Sequence, residues 1–174
     1  MMKRFLSVFL IVMLFTSCRE EVEMSSVNPV NWKNRSVGMP LNDSLVQGAS
    51  YLSVYSQIYS QTEHIVLDLT ATISMRNTSR TDTVFIHKAE YFDTRGNSIR
   101  TYFNETIYIA PMETVEIIID EHDKEGGTGA NFLFDWAKKR HANAPCFEAV
   151  MISTSGQQGL SFTTQGKNLT KDVK

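Results

Sequence analysis

The sequence predicts an all-β fold, an antiparallel β-sandwich of about eight or nine strands with Greek-key connections. Three observations carry that reading. From Ile65 to Arg76 the apolar residues Ile65, Leu67, Leu69, Ala71, Ile73 and Met75 alternate with Asp68, Thr70, Thr72, Ser74 and Arg76. Such a period of two gives a strand one dry face and one wet face. Short strand-like runs then follow one another between clusters of Gly, Pro, Asn and Asp, the residues of turns. No stretch shows the 3.6-residue apolar period of an amphipathic helix. A closed barrel is the alternative architecture.

The elements are expected in this order. Tyr51–Tyr59 forms a strand with Leu52, Val54 and Ile58 on one face and Tyr51, Tyr55 and Tyr59 on the other. Ile65–Arg76 is the long central strand, and Asn77–Asp82 supplies turn chemistry. Thr83–Phe92 and Ser98–Phe103 are joined through Asp93–Asn97, where Gly96 suits a positive φ. Thr106–Ile109 is short, Ala110–Glu113 turns, and Thr114–Asp120 alternates through Val115, Ile117 and Ile119. Ala130–Trp136 sets Phe132, Phe134 and Trp136 on one face, and Cys146–Ser153 and Gly159–Thr164 close the set.

The chain starts differently. Lys3 and Arg4 precede an unbroken apolar or small run from Phe5 to Phe15, followed by Thr16, Ser17 and Cys18. A cationic start, a short apolar core and small residues before a cut are the parts of a secretory signal peptide. A permanent span needs roughly 20 apolar residues, more than this run supplies. Phe15-Thr-Ser-Cys18 resembles the lipobox of bacterial lipoproteins, with Phe15 where Leu is usual. The resemblance implies cleavage before Cys18 and acylation of Cys18 with palmitate-type chains. Each buried methylene contributes about 0.8 kcal/mol, so several chains hold a protein firmly on a membrane.

The resulting layout is a signal peptide over 1–17, acylated Cys18 and a flexible tether over 18–46, a sandwich over 47–168 and a disordered tail over 169–174. A coil from Arg19 to Val46 averages roughly 30 Å between its ends. Val27, Val30 and Trp32 are the residues that could tack part of it onto the domain. No Asp follows Cys18 directly, which favours the outer membrane, on its periplasmic or surface face. The membrane is then a partner through the lipid anchor.

Composition removes other classes. The 174 residues carry 17 Lys+Arg against 19 Asp+Glu, a formal charge of −2, so no nucleic-acid partner is expected. With Cys18 acylated, Cys146 is the remaining one of 2 cysteines and reads as a buried, inert thiol rather than a nucleophile. The four histidines lack the paired spacing of a zinc site, and no His follows Cys146 to complete a copper loop. No metal, cofactor or catalytic residue is predicted. Asp120–Glu125 lacks the spacing of a calcium loop and reads as a solvated strand end.

Two polar loops are the candidate binding site. Gly126, Gly127, Thr128, Gly129 and Asn131 lie in a glycine-rich segment whose successive N–H groups could form an anion nest. A tight turn where only glycine fits is the structural alternative. Ser155, Gln157 and Gln158 offer a hydroxyl and two amides in a second loop, whose alternative is a polar hairpin turn.

Five ordered blocks add a resemblance: Tyr51–Tyr59, Leu69–Asn77, Tyr91–Gly96, Gly126–Phe132 and Thr154–Gly159. Together they resemble a family of small bacterial lipoproteins known only as a domain of unknown function. That likeness implies a lipid-anchored extracytoplasmic module and brings no activity or cofactor with it. More loosely, the order of Arg76–Ser79, Tyr91–Gly96 and Ala110–Thr114 is similar to immunoglobulin-like extracytoplasmic domains, which implies an immunoglobulin-like sandwich. The expected role is a non-enzymatic binding or interaction module of the cell envelope, with an envelope protein or glycan as partner. The alternatives are an enzyme acting on envelope glycans or peptides and a structural subunit of an envelope assembly.

Overall fold

The computed structural model describes residues 31–38, 45–154 and 159–169. The signal peptide, Cys18, most of the tether, and Ser155, Gln157 and Gln158 lie outside the described residues. The strands in chain order are β1 (Leu45–Ser53), β2 (Gln57–Ser60), β3 (Thr62–Asp68), β4 (Thr70–Arg76), β5 (Val84–Phe92) and β6 (Ser98–Phe103). They continue with β7 (Ile107–Ile109), β8 (Thr114–Ile119), β9 (Asn131–Lys139), β10 (Cys146–Ser153), β11 (Leu160–Gln165) and β12 (Lys167–Leu169). Among the described residues there is no α-helix.

Every strand pairing is antiparallel. One sheet runs β12-β1-β9-β5-β6, with β7 also on β5, and the other runs β11-β10-β4-β8. Between them lies a single apolar layer, as in a β-sandwich. Alternation along each strand fills it: Leu69, Ala71, Ile73 and Met75 from β4 and Ile117 and Ile119 from β8 are fully buried. Each large apolar side chain so buried stabilises the fold by roughly 1.5–3 kcal/mol. Aromatic rings knit the layer together. Phe134 of β9 stacks on Phe147 of β10 at 4.2 Å across the two sheets, and Phe132 stacks on Tyr91 at 4.8 Å within one.

The expected long strand divides. The alternation from Ile65 to Arg76 is continuous in sequence, but β3 and β4 belong to different sheets. Its second half lines the core as predicted. Its first half does not: Ile65 is 47% exposed and Leu67 is half-buried. The reason is topological. After Ser53 the chain must leave the first sheet and enter the second at Thr70, and β2 and β3 make that crossing as a two-stranded ribbon. Leu69 N–H still donates to Ser56 O at 2.9 Å, but Ile65, four residues earlier, lies roughly 13 Å further along the strand. The Tyr51–Tyr59 run divides likewise. Its strand ends at Ser53 and begins earlier, since Leu45 and Val46, placed in the tether from sequence, pair with Lys139 and Lys138. Leu169, placed in the tail, pairs with Ala49.

Outside the strands, Trp32–Arg35 forms a short 3-10 turn on the β6–β7 edge. Trp32 packs on Phe103 at 4.9 Å, and Arg35 Nη2 donates to Glu113 Oε1 at 2.8 Å. The Glu113 carboxylate also accepts the Ala110 N–H at 2.8 Å. The Arg35 guanidinium holds the Glu113 carboxyl below its usual range, as the Gln57 amide and Lys124 do for Asp68. A carboxyl depressed in the folded state stabilises above its unfolded pKa of about 4 and loses that contribution as pH falls through the folded value. Acid titration of thermal stability should therefore show a decline below about pH 4. Replacing Glu113 with Gln should flatten part of that decline.

Candidate functional site

Strand direction places three described connections at one end of the sandwich, residues 54–69 with the β2–β3 ribbon, 93–97 and 120–130, together with Ser153 and Leu160, the strand ends that flank the second predicted loop. Ile152 pairs with Thr70, and Ala71 with Ile119, so the bases of the two predicted loops emerge from one sheet end. Gly126–Asn131 is described there, while Ser155, Gln157 and Gln158 are beyond the described residues.

The glycine segment is a braced turn. Gly127–Gly129 forms one 3-10 turn, and Gly127 has φ +71°, a region other L-residues enter only at a penalty. Gly127 N–H donates to Lys124 O at 3.2 Å. Gly129 N–H donates to Thr94 Oγ1 at 2.9 Å, and that hydroxyl donates to Gly126 O at 3.0 Å. Ser56 Oγ donates to Gly127 O at 3.3 Å. Two N–H groups that an anion nest would offer are thus engaged inside the turn. Gly126 lies against the Tyr91 ring, where an added Cβ would fall 1.9 Å from the phenol oxygen. Gly127→Ala should cost about 1–2 kcal/mol through its left-handed backbone, read as a shift in the denaturation midpoint.

Asp120–Glu125 is not a solvated strand end throughout, because Asp123 is 1% exposed. Arg100 Nη1 donates to Asp123 Oδ2 at 2.9 Å and Nη2 to Glu125 Oε2 at 3.0 Å. Lys124 reaches Asp68 at 2.6 Å, tying this loop to the ribbon. Arg100 also donates to the Tyr102 hydroxyl at 3.1 Å. Burial pushes the Tyr102 phenol up to about 12, against the opposing pull of Arg100. Asp123 is therefore a bracing group.

The ribbon itself is the least covered apolar element of this end. Tyr59 is 60%, Ile65 47% and Val66 41% exposed. Tyr59 and Val66 pair across the ladder on one face, and Ile65 lies on the other by alternation. Sequence reading placed Tyr59 on the outer face of its strand but put Ile65 in the core, because its alternation continues that of β4.

A cleft of about 570 Å³ opens elsewhere, between the Trp32–Arg35 turn and the β6–β7 connection. Tyr102, Phe103 and Ile107 form its floor, and Asn31, Asn104 and Glu105 stand at its rim. Among the described residues the buried Trp32 indole N–H has no acceptor. No motif marks this cleft; its walls come from segments far apart in sequence.

The remaining candidates resolve simply. Among the described residues no three His, Cys, Asp or Glu converge as metal ligands would. Cys146 is a free thiol whose pKa is raised by burial and by Glu148, the reverse of an activated nucleophile. His141 points to Asp82 Oδ2 at 3.1 Å.

Comparisons with known proteins give a family and no chemistry. A family model described as "Protein of unknown function (DUF3124)" matches residues 47–169. No curated protein matches the chain. A solved structure, "Crystal Structure of Thermotoga maritima 1070", is similar at a TM-score of 0.43 and 10% identity, over 69% of this chain and 92% of that one.

Proposed function

The chain belongs to the DUF3124 family of proteins of unknown function, and from that premise we propose a lipid-anchored, extracytoplasmic, non-enzymatic protein-interaction module. The anchor is Cys18, and the contact surface is the loop end of the sandwich. One observation carries the second part: the β2–β3 ribbon presents Tyr59 and Val66 side by side to solvent on one face, and Ile65 on the other. Grouped exposed apolar side chains rimmed by polar ones mark interaction surfaces.

Charge selects the kind of partner. From Gln57 to Asp68 the ribbon contains Glu63 and Asp68 but neither Lys nor Arg. Such a surface gains nothing from anionic headgroups or nucleic acid. A protein of the envelope with an apolar contact patch fits it. The braced turn at Gly126–Asn131 supplies a polar rim.

Two experiments test the two parts. Cys18→Ser should move the protein from the detergent phase to the aqueous phase, and continued membrane association would remove the anchor. For the surface, a photo-crosslinking residue is placed at Tyr59 or Val66 of the full chain in cells. Both positions should capture the same envelope protein, while Thr114, at the far end of the sandwich, captures none. Equal capture from Thr114, or none from the ribbon, would defeat the assignment.

A further inference from the structure

We infer that the cleft beside Trp32 binds a neutral sugar ring, at a site separate from the ribbon. Its construction comes first. The Trp32–Arg35 turn is held by the Arg35–Glu113 ion pair, by Ser36 Oγ donating to Glu105 Oε2 at 2.9 Å, and by Val37 N–H donating to Thr106 O at 2.9 Å. These contacts fix the indole wall before any ligand arrives, which lowers the entropic cost of binding. The Trp32 and Phe103 rings meet at 4.9 Å and 49°, giving the cleft an angled aromatic wall. At about 570 Å³ it falls within the roughly 300–1,000 Å³ of small-ligand sites.

The lining then selects the ligand chemistry. Asn31 and Asn104 present amides, each with two donors and one acceptor. Lys33 and Glu105 also line the cleft, and their opposite charges leave it without a net preference for an ion. A wholly apolar ligand would strand the amides without partners. A pyranose offers what is missing: a face of C–H groups for the rings and an edge of hydroxyls for the amides.

The test uses the full chain carrying Cys18→Ser and follows its two indole N–H resonances. Trp136 serves as the internal control, because its Nε1 donates to Ser50 Oγ at 2.8 Å within the sandwich. Trisaccharides of glucose, mannose and N-acetylglucosamine are titrated separately. At least one should shift the Trp32 resonance saturably while leaving Trp136 still, and Asn104→Ala should weaken that binding at least tenfold. The inference fails if no neutral trisaccharide moves Trp32. It also fails if a uronate trisaccharide or a tripeptide moves it equally well, or if Asn104→Ala binds like the parent. Ribbon substitutions should leave the titration unchanged, so loss of the crosslink and loss of sugar binding are independent results.

Discussion

Asn77→Asp should destabilise the fold by about 3–5 kcal/mol at neutral pH. Asn77 is 2% exposed and sits where β4 hands over to the connection leading to β5. Its Nδ2 donates to Asp82 O at 2.7 Å, Ile109 O at 3.0 Å and Ala110 O at 3.1 Å. Its Oδ1 accepts the Ser79 N–H at 2.9 Å. One amide therefore ties together the two connections at this end of the sandwich. Aspartate keeps the acceptor but turns the donor into a buried anion facing three carbonyl oxygens. An uncompensated buried charge costs about 3–5 kcal/mol, a large share of the roughly 5–15 kcal/mol available to a domain. The introduced carboxyl binds its proton more tightly folded than unfolded. Relative to the parent at each pH, the defect should be smallest near pH 4 and grow toward neutrality. Urea midpoints of both proteins across that range check this, and a pH-independent difference would mean that the amide's donors matter less than its shape.

Gly48→Val should be nearly as damaging, for a steric reason. Gly48 pairs with Trp136 across the β1–β9 ladder, and an added Cβ would fall 2.2 Å from the indole ring. The indole cannot swing away freely. Its N–H donates to Ser50 Oγ at 2.8 Å, and that hydroxyl donates to Asn168 Oδ1 at 2.7 Å, so the ring also fastens β12 to the sheet. Overpacking a core of this kind costs about 1–3 kcal/mol; two further methyl carbons put Gly48→Val at the upper end. Adding Trp136→Leu should restore part of the loss. A double variant no more stable than Gly48→Val would show that the clash is not with the indole.

Period-two patterning was readable wherever a strand stayed within the sandwich. Leu69, Ala71, Ile73 and Met75 are buried as their alternation requires, and Gly96 has the positive φ of 83° its turn demands. The same pattern misled at Ile65, because alternation marks which side of a strand is apolar, not how far the opposing sheet extends. Residues at the bends, Leu45, Val46 and Leu169, belong to strands whose partners lie far along the chain. The glycine turn was legible as glycine-requiring. Its bracing by Thr94 was not, since that contact joins residues 35 positions apart. The aromatic cleft depends on Trp32 meeting Phe103, a closure that no local signal announces.

The place of β1 in the sheet bears on how the molecule is assembled. It lies between β9 and β12, and its side-chain bonds span 86 positions to Trp136 and 118 between Ser50 and Asn168. An N-terminal strand whose neighbours come from the last third of the chain cannot be completed as it emerges from a ribosome. Such long-range closure slows folding into the millisecond-to-second range of all-β domains, and a chain kept open that long exposes its unpaired strand edges to other chains.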